Sequence, residues 1–350
     1  MKGTAALGRE VEGRFAALFP SGWAVTPLDT TGTEFDRLIS VRAPDRSVVR
    51  FAFAVKRAVA PREVAIVSAR LLDAVSKLRV PTVPVVGAPF LSELTREALV
   101  TAGVGYVDTT GNVFVRCDRP GLFLQSTGAL RDPSPSDDKL RSLGGRGAIR
   151  AVRAVVDFRT PYGIRELAER ADVPLGTLAR VVELLYRDGL VERTPRGPIE
   201  RVDVSGVIRR WAKDYSISKS NRVVSVLSAR GIPALLEQIS KIESGYAATG
   251  ALAASRFAPV GPTRLAALYV SDAEKFARRV DLRPVDTGAN VWLIEPANDV
   301  VFDRVTLRNG LLCVSPSQLA VDLLTGPGRD PSEGEELLSW MEKNRSDWQS

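Results

Sequence analysis

Residues 159–202 read RTPYGIRELAERADVPLGTLARVVELLYRDGLVERTPRGPIERV, and the rest of the chain is best understood outward from them. Ile164, Leu167, Ala168 and Ala171 recur at helical spacing, which puts them on one face of a first helix. Asp172-Val173-Pro174 interrupts that helix, since a proline cannot continue a helix but is well suited to open the next one. Leu178, Val181, Val182 and Leu185 then make the apolar stripe of a second helix, leaving Thr177, Arg180 and Arg187 outward. Asp188-Gly189 ends it, the glycine supplying the left-handed backbone of a C-terminal cap. Residues 190–193 and 199–202 alternate as two short strands joined by Thr194-Pro195-Arg196-Gly197-Pro198, a turn that carries a cation.

The order helix, tight turn, helix, hairpin resembles a winged helix-turn-helix. That resemblance implies a second helix that enters the major groove and a hairpin tip that reaches backbone or minor groove. Leu175, Gly176, Thr177 and Arg180 occupy the amino-terminal half of the second helix, the part that meets base edges. Arg180 can give a bidentate pair to guanine, Thr177 a hydroxyl or a methyl, and Gly176 close approach. A leading helix over 146–156 turns Ile149, Val152, Val155 and Val156 inward, which predicts that Arg146, Arg150 and Arg153 point outward. Arg146, Arg150, Arg193 and Arg196 are therefore expected to meet phosphates, with Arg187 on the same helix as Arg180. Two other readings stay open: a helical hairpin used only for packing, and a winged helix that binds protein. Arg180 has its own alternative, solvating the helix in a pair with Glu183 or Asp188.

Charge favours the nucleic-acid reading. Residues 141–230 hold 18 Lys and Arg against 10 Asp and Glu, a net of +8, whereas the whole chain carries +7. A basic excess confined to the segment with a groove-binding shape is the footprint expected of a phosphate-binding surface.

A chain of 350 residues with 45% apolar content can bury sizeable cores and suggests two to three domains. No apolar run reaches the roughly 18–20 residues that span a bilayer, and MKGTAALGREVEGRF lacks the apolar core of a signal peptide, so no membrane partner and a cytoplasmic location are expected. Cys117 and Cys313 are too few for a disulfide framework or a thiolate zinc cluster. The complete absence of histidine removes Ser-His-Asp and Cys-His catalysis, histidine metal sites and histidine pH switching together. No cofactor and no metal are expected.

Residues 1–130 alternate as α/β: a helix over 7–19 with Val11, Phe15, Ala16 and Leu18 on its apolar side, strands over 23–27, 35–41 and 48–55, a helix over 64–78, a strand over 82–87, a helix over 91–102, then strands at 105–108 and 113–115. The run VVRFAFAV at 48–55 predicts a strand buried on both faces. Residues 131–144, rich in Pro, Ser and Asp, read as a linker. The winged helix takes 145–203. Beyond it, helices are expected over 204–215, 232–242, 251–257, 273–280, 316–324 and 333–340, and strands over 264–270, 291–295 and 310–314. The fold class is thus an α/β multidomain chain, with a third domain over 204–350.

The amino-terminal order resembles the PD-(D/E)xK restriction-endonuclease-like fold, in which one strand supplies an Asp and the next a D/E-x-K triplet that hold a metal and a catalytic water. Asp36 matches the first acid and Lys56 the lysine, but Ala54 stands where the second acid belongs. One carboxylate beside an alanine is a poor cage for a hard cation, so Asp36 and Lys56 read as vestigial, with Glu10, Glu12 or Asp108 as candidate replacements. Residues 145–345 resemble the AbiEi-type antitoxin and transcriptional-regulator proteins of type IV toxin-antitoxin systems, through ATGALAASRFAP, the strand LAALYVSD and VSPSQLAVDLLTGPGR with Pro316, Gln318, Leu319, Asp322 and Leu323. That resemblance implies operator binding, autorepression and an antitoxin role. The third domain also resembles a minimal nucleotidyltransferase whose catalytic acids are lost: Gly250-Ala251 holds the place of the Gly-Ser pair, and Leu265-Ala266-Ala267-Leu268-Tyr269 carries no carboxylate. Asp272 and Asp299 read as surface or capping residues.

Two functions of different class follow. The first is a non-enzymatic, sequence-specific regulator, an antitoxin or autorepressor of a toxin-antitoxin or phage-defence locus, whose partners are double-stranded DNA, a cognate toxin or other protein, and a second copy of the chain. The alternative is a metal-dependent DNA nuclease targeted by the winged helix.

Overall fold

The computed structural model describes residues 2–30, 33–130, 132–133, 140, 142–194, 197–258, 261 and 263–350, without the side chains of 2–4. It is a mixed α/β structure. Two compact units divide the chain: residues 1–139 with 187–189, and residues 140–186 with 190–350.

The first unit opens with helix α1 (Lys2–Ala16), followed by strands β1 (Ala24–Leu28), β2 (Arg37–Arg42) and β3 (Val48–Val55). Helix α2 (Pro61–Ser76), strand β4 (Thr82–Ala88), helix α3 (Glu93–Thr101) and strands β5 (Gly105–Asp108), β6 (Val113–Cys117) and β7 (Leu122–Ser126) complete it. The seven strands lie in one sheet in sequence order, parallel from β3 through β5 and antiparallel on either side. The parallel pairs need crossovers, which α2 and α3 supply. Side chains alternate across a strand, and β3 uses both sides. Phe51, Phe53 and Val55 join Val11 and Phe15 of α1 in one core, while Ala52 joins Val64 and Leu71 of α2 and Leu99 of α3 in another. The continuous apolar run of β3 is therefore the signature of a strand covered on both faces. Each fully buried phenylalanine there contributes about 1.5–3 kcal/mol. Gly87 of β4 lets α1 approach: a β-carbon there would sit 2.8 Å from a Val11 methyl.

The second unit begins with α4 (Arg146–Asp157), α5 (Ile164–Arg170) and α6 (Leu175–Arg187), then β8 (Val191–Arg193) and β9 (Ile199–Val202) as an antiparallel pair. Tyr162 bridges to Ile199 and so adds a third short strand position before α5. Helix α7 (Val204–Ala212) leads through β10 (Arg222–Leu227), α8 (Gly231–Ile239), β11 (Tyr246–Thr249), α9 (Gly250–Ala254), β12 (Ala266–Val270), α10 (Ala273–Arg279), β13 (Arg283–Pro284) and β14 (Val291–Glu295). A 3-10 turn at Asp299–Phe302, β15 (Thr306–Arg308), β16 (Leu311–Cys313), α11 (Pro316–Leu324) and α12 (Asp330–Lys343) follow. The second large sheet runs β13-β10-β14-β12-β11-β16-β15, with parallel pairs β14/β12 and β11/β16. Helix α11 packs against α4, α7, α9 and α12. It is buried from Pro316 to Leu323, as a helix surrounded on all sides must be.

Residues 145–203 and 204–350, expected as successive domains, share one core that runs from Leu143 to Trp348. The expected linker over 131–144 lies mostly outside the described residues. Asp272 does cap α10, its carboxylate accepting from the Lys275 amide at 2.8 Å. Among the described residues, no helix is long and apolar enough to cross a membrane.

Candidate nucleic-acid interface

The geometry of α4 to β9 grows from a few local decisions. Helix α5 stops at Ala171, and Asp172 takes a left-handed conformation, φ 50°, that carries the chain round the turn. The Pro174 carbonyl then accepts from the amides of Thr177 (2.8 Å) and Leu178 (3.1 Å), which starts α6. Leu178, Val181, Val182, Leu184 and Leu185 bury one side of α6. At its far end Gly189, φ 76°, lets the Leu190 amide return to the Leu185 carbonyl at 2.9 Å, the six-to-one bond of a glycine-capped helix. Cross-strand pairs Val191↔Val202 and Glu192↔Arg201 set the hairpin register.

Leu175, Gly176 and Arg180 are exposed along the amino-terminal half of α6, and Thr177 is half-buried. Arg180 donates from Nε to the Gly176 carbonyl at 3.1 Å, one turn back on its own helix. Glu183 is occupied by Arg193 at 2.7 Å, so the Arg180–Glu183 pair does not form. The Thr177 methyl is directed at α4, where a β-carbon on Gly147 would meet it at 3.3 Å, which leaves the hydroxyl as its recognition group. Arg187 sits in the last turn of α6, away from that exposed half. Arg196 lies outside the described residues.

The expected phosphate contacts stand differently. Arg146 pairs with Asp299 at 2.9 Å. Arg150, its side chain only 24% exposed, faces Asp172, Asp299 and Asp303 at 3.4–3.8 Å. Arg193 lies over the Tyr186 ring at 5.0 Å as well as against Glu183. The expectation that Arg153 points outward is overturned: it is 3% exposed and donates to the carbonyls of Val300 and Asp303 and to the Ser315 hydroxyl, with Asp157 at 3.6 Å. Burial pulls its guanidinium below the usual arginine range, against the pull of Asp157 and Asp303. The basic excess of 141–230 is thus partly answered by acids from outside that segment. Arg209 pairs with Glu335 at 2.6 Å and Arg222 with Glu295 at 2.6 Å, in the same way that the α4 arginines meet Asp299 and Asp303. Composition over a window cannot register such partners. Arg165, in the first turn of α5, is exposed and was not singled out by pattern.

The vestigial amino-terminal site has the expected backbone. The Asp36 amide donates to the Phe53 carbonyl at 2.9 Å, just beyond the Arg37↔Phe53 pair, which sets residue 36 across from Ala54. The Asp36 carboxylate accepts the Val55 amide at 2.7 Å, and Lys56 is exposed. Of the three proposed substitute acids, Asp108 and Glu12 are engaged elsewhere, and Glu10 is exposed. Asp108 accepts from the amides of Leu91, Thr110 and Asn112, the Thr110 hydroxyl and the Asn112 side chain. Glu12 pairs with Arg37 at 3.3 Å. Among the described residues, no group of three or more His, Cys, Asp or Glu side chains converges to hold a metal ion.

In the second sheet, Gly250 follows β11 with φ 62°, and β12 carries no acid. The carboxylate nearby is Asp322 of α11. It accepts from Tyr215 (2.8 Å), Tyr269 (3.1 Å), Gln318 (2.9 Å) and Thr249 (2.6 Å). Burial pushes its carboxyl up to about 6 against the effect of those four donors. With three donors on Oδ1, one on Oδ2 and 1% exposure, this group organises the core.

The fold and these contacts define a mixed α/β chain in which the amino-terminal half of α6 is largely exposed. Comparison with protein-family models, with curated proteins and with solved structures finds no match.

Proposed function

We propose that residues 146–202 form a winged helix-turn-helix and that the protein is a sequence-specific regulator of transcription acting on double-stranded DNA. The antitoxin or autorepressor role belongs to the same proposal, on the resemblance described above. Its flanking regions are read as restriction-endonuclease-like and nucleotidyltransferase-like folds without catalytic acids. The observation that carries the reading is the exposed amino-terminal half of α6, which presents Arg180 beyond the turn at Pro174 with no acidic partner among the described residues. Side chains at that end of a recognition helix are the ones that meet base edges. A nuclease is disfavoured by the Asp36 carboxylate, held by a backbone amide across from an alanine.

The test is binding to duplexes selected from a random library, followed across salt concentration. Arg180→Ala should lose roughly 1–3 kcal/mol on the selected site and relax one base position, with unchanged circular dichroism. Arg165→Ala should weaken all sequences alike and reduce the salt slope by about 0.9. The paired Arg146 and Arg193 should change that slope much less. Absence of any salt-dependent affinity for duplex DNA would remove the proposal, and magnesium-dependent cutting lost in Asp36→Ala would replace it with the nuclease.

A further inference from the structure

Between α4, α5 and the segment after the 3-10 turn lies a cavity of about 280 Å³ lined by Arg150, Arg153, Arg170, Arg304, Asp157, Asp172, Asp303 and Phe158. Four guanidinium groups border one space, and the Nε atoms of two of them, Arg150 and Arg153, make no hydrogen bond. Arg150 faces three carboxylates, all at 3.4 Å or more, beyond the length of a charge-assisted hydrogen bond, with Asp303 at 3.4 Å from its Nε. Arg170 lies over the Phe158 ring at 4.3 Å and reaches only Glu166, at 3.5 Å. Arg153 Nε is also buried and unpartnered, on a side chain 3% exposed. One acceptor is orphaned too, Asp157 Oδ1, although its other oxygen has Arg153 and Arg304 nearby at 3.6 and 3.7 Å. Buried polar atoms are paired in nearly all proteins, so three orphans on side chains that line one cavity set this region apart.

Backbone conformation marks the same place independently. Asp172 and Arg304 both have left-handed backbones, φ 50° and 61°, and side chains other than glycine adopt that region at a cost. Residues held this way concentrate at ligand sites and switch regions.

We propose that this cavity binds a small phosphomonoester that also carries hydroxyl or amino donors. The phosphate takes the guanidinium of Arg170 and, in place of the Asp172 carboxylate, that of Arg150, a match that planar forks make bidentately. Donors on the ligand meet the carboxylate of Asp303, which lines the same cavity with its side chain 44% exposed. The volume, on the order of nine waters at ~30 Å³ each, exceeds what a bare phosphate fills. Asp172, whose side chain is 99% exposed, competes weakly for Arg150, and the phosphate displaces it. Because Asp172 lies in the turn between α5 and α6, the ligand would also act on the DNA surface, and that coupling alone rests on the function proposed above.

The experiment is calorimetric titration of the full chain, without DNA, with ribose 5-phosphate, adenosine 5′-monophosphate and inorganic phosphate. Saturable one-to-one binding of an organic phosphate is expected, weakened about tenfold or more in Arg150→Ala and in Arg170→Ala. Asp172→Asn should tighten it, since a competitor is removed and asparagine tolerates the left-handed backbone, a gain that misfolding cannot produce. No saturable binding of either organic phosphate overturns the site. So do equal affinities in all variants, or binding of inorganic phosphate as tight as the organic ones, which would mean an adventitious ion only. DNA binding is measured separately, so its failure leaves these outcomes intact.

Discussion

Asp322 shows how one side chain sets a pH dependence. Its carboxyl titrates near 3.8 in an unfolded chain and at about 6 in the folded one, because burial disfavours the charge. The folded state therefore keeps a proton that the unfolded chain has released. The contribution is fully present below about pH 3.8 and is lost as pH rises to about 6, a change on the order of 3 kcal/mol. Asp330 acts in the same direction, raised to about 6 by burial and then by Glu333. Urea unfolding followed from pH 4 to about 6.5 should show a shallower decline in Asp322→Asn than in the parent, the residue of the slope belonging to Asp330. Parallel curves would mean that Asp322 is not protonated in this window.

At the scale of the element, the contact of α1 with β4 is set by a missing side chain. Gly87→Ala should destabilise the first unit by about 1–3 kcal/mol through overpacking against Val11, and Val11→Ala should restore part of that loss. Additive effects in a double-mutant cycle would show that the two residues do not touch. Elements of this kind were legible where one residue pattern admits one structure. VVRFAFAV falls on β3, and the proline-led stretch Pro316–Leu324 on α11, with the expected bounds. The pattern missed β7 and β10, whose half-exposed residues break strict alternation, and also the two to four residues of β11, β13 and β15, too short to show a period. Helix α4 misled for another reason. Arg146, Arg150 and Arg153 recur like an outward stripe, but the helix is buried nearly all round, and the stripe meets the 3-10 turn. Nothing within the helix announces that partner.

For the whole molecule, the two units keep separate cores: the clusters of the first unit use residues from 7 to 124, that of the second from 143 to 348. A fragment spanning 140–350 is therefore expected to unfold as one cooperative transition and, on the function proposed above, to bind duplex DNA as the full chain does. A fragment lacking a cooperative melt would show that its core depends on the first unit. The exposed end of α6 could be read from sequence because every residue that builds it lies within thirty or so positions. The neutralised arginines could not, since their partners stand about 150 positions away.

That separation also has a meaning in time. Arg146 leaves the ribosome 153 residues before Asp299, and Arg153 leaves 147 before Val300. At about 5–20 residues per second, each waits roughly 8–30 s for its partner to be made. During that interval the nascent α4 carries cations that the finished protein has answered, so its mature charge is acquired only once synthesis is well into the last third of the chain.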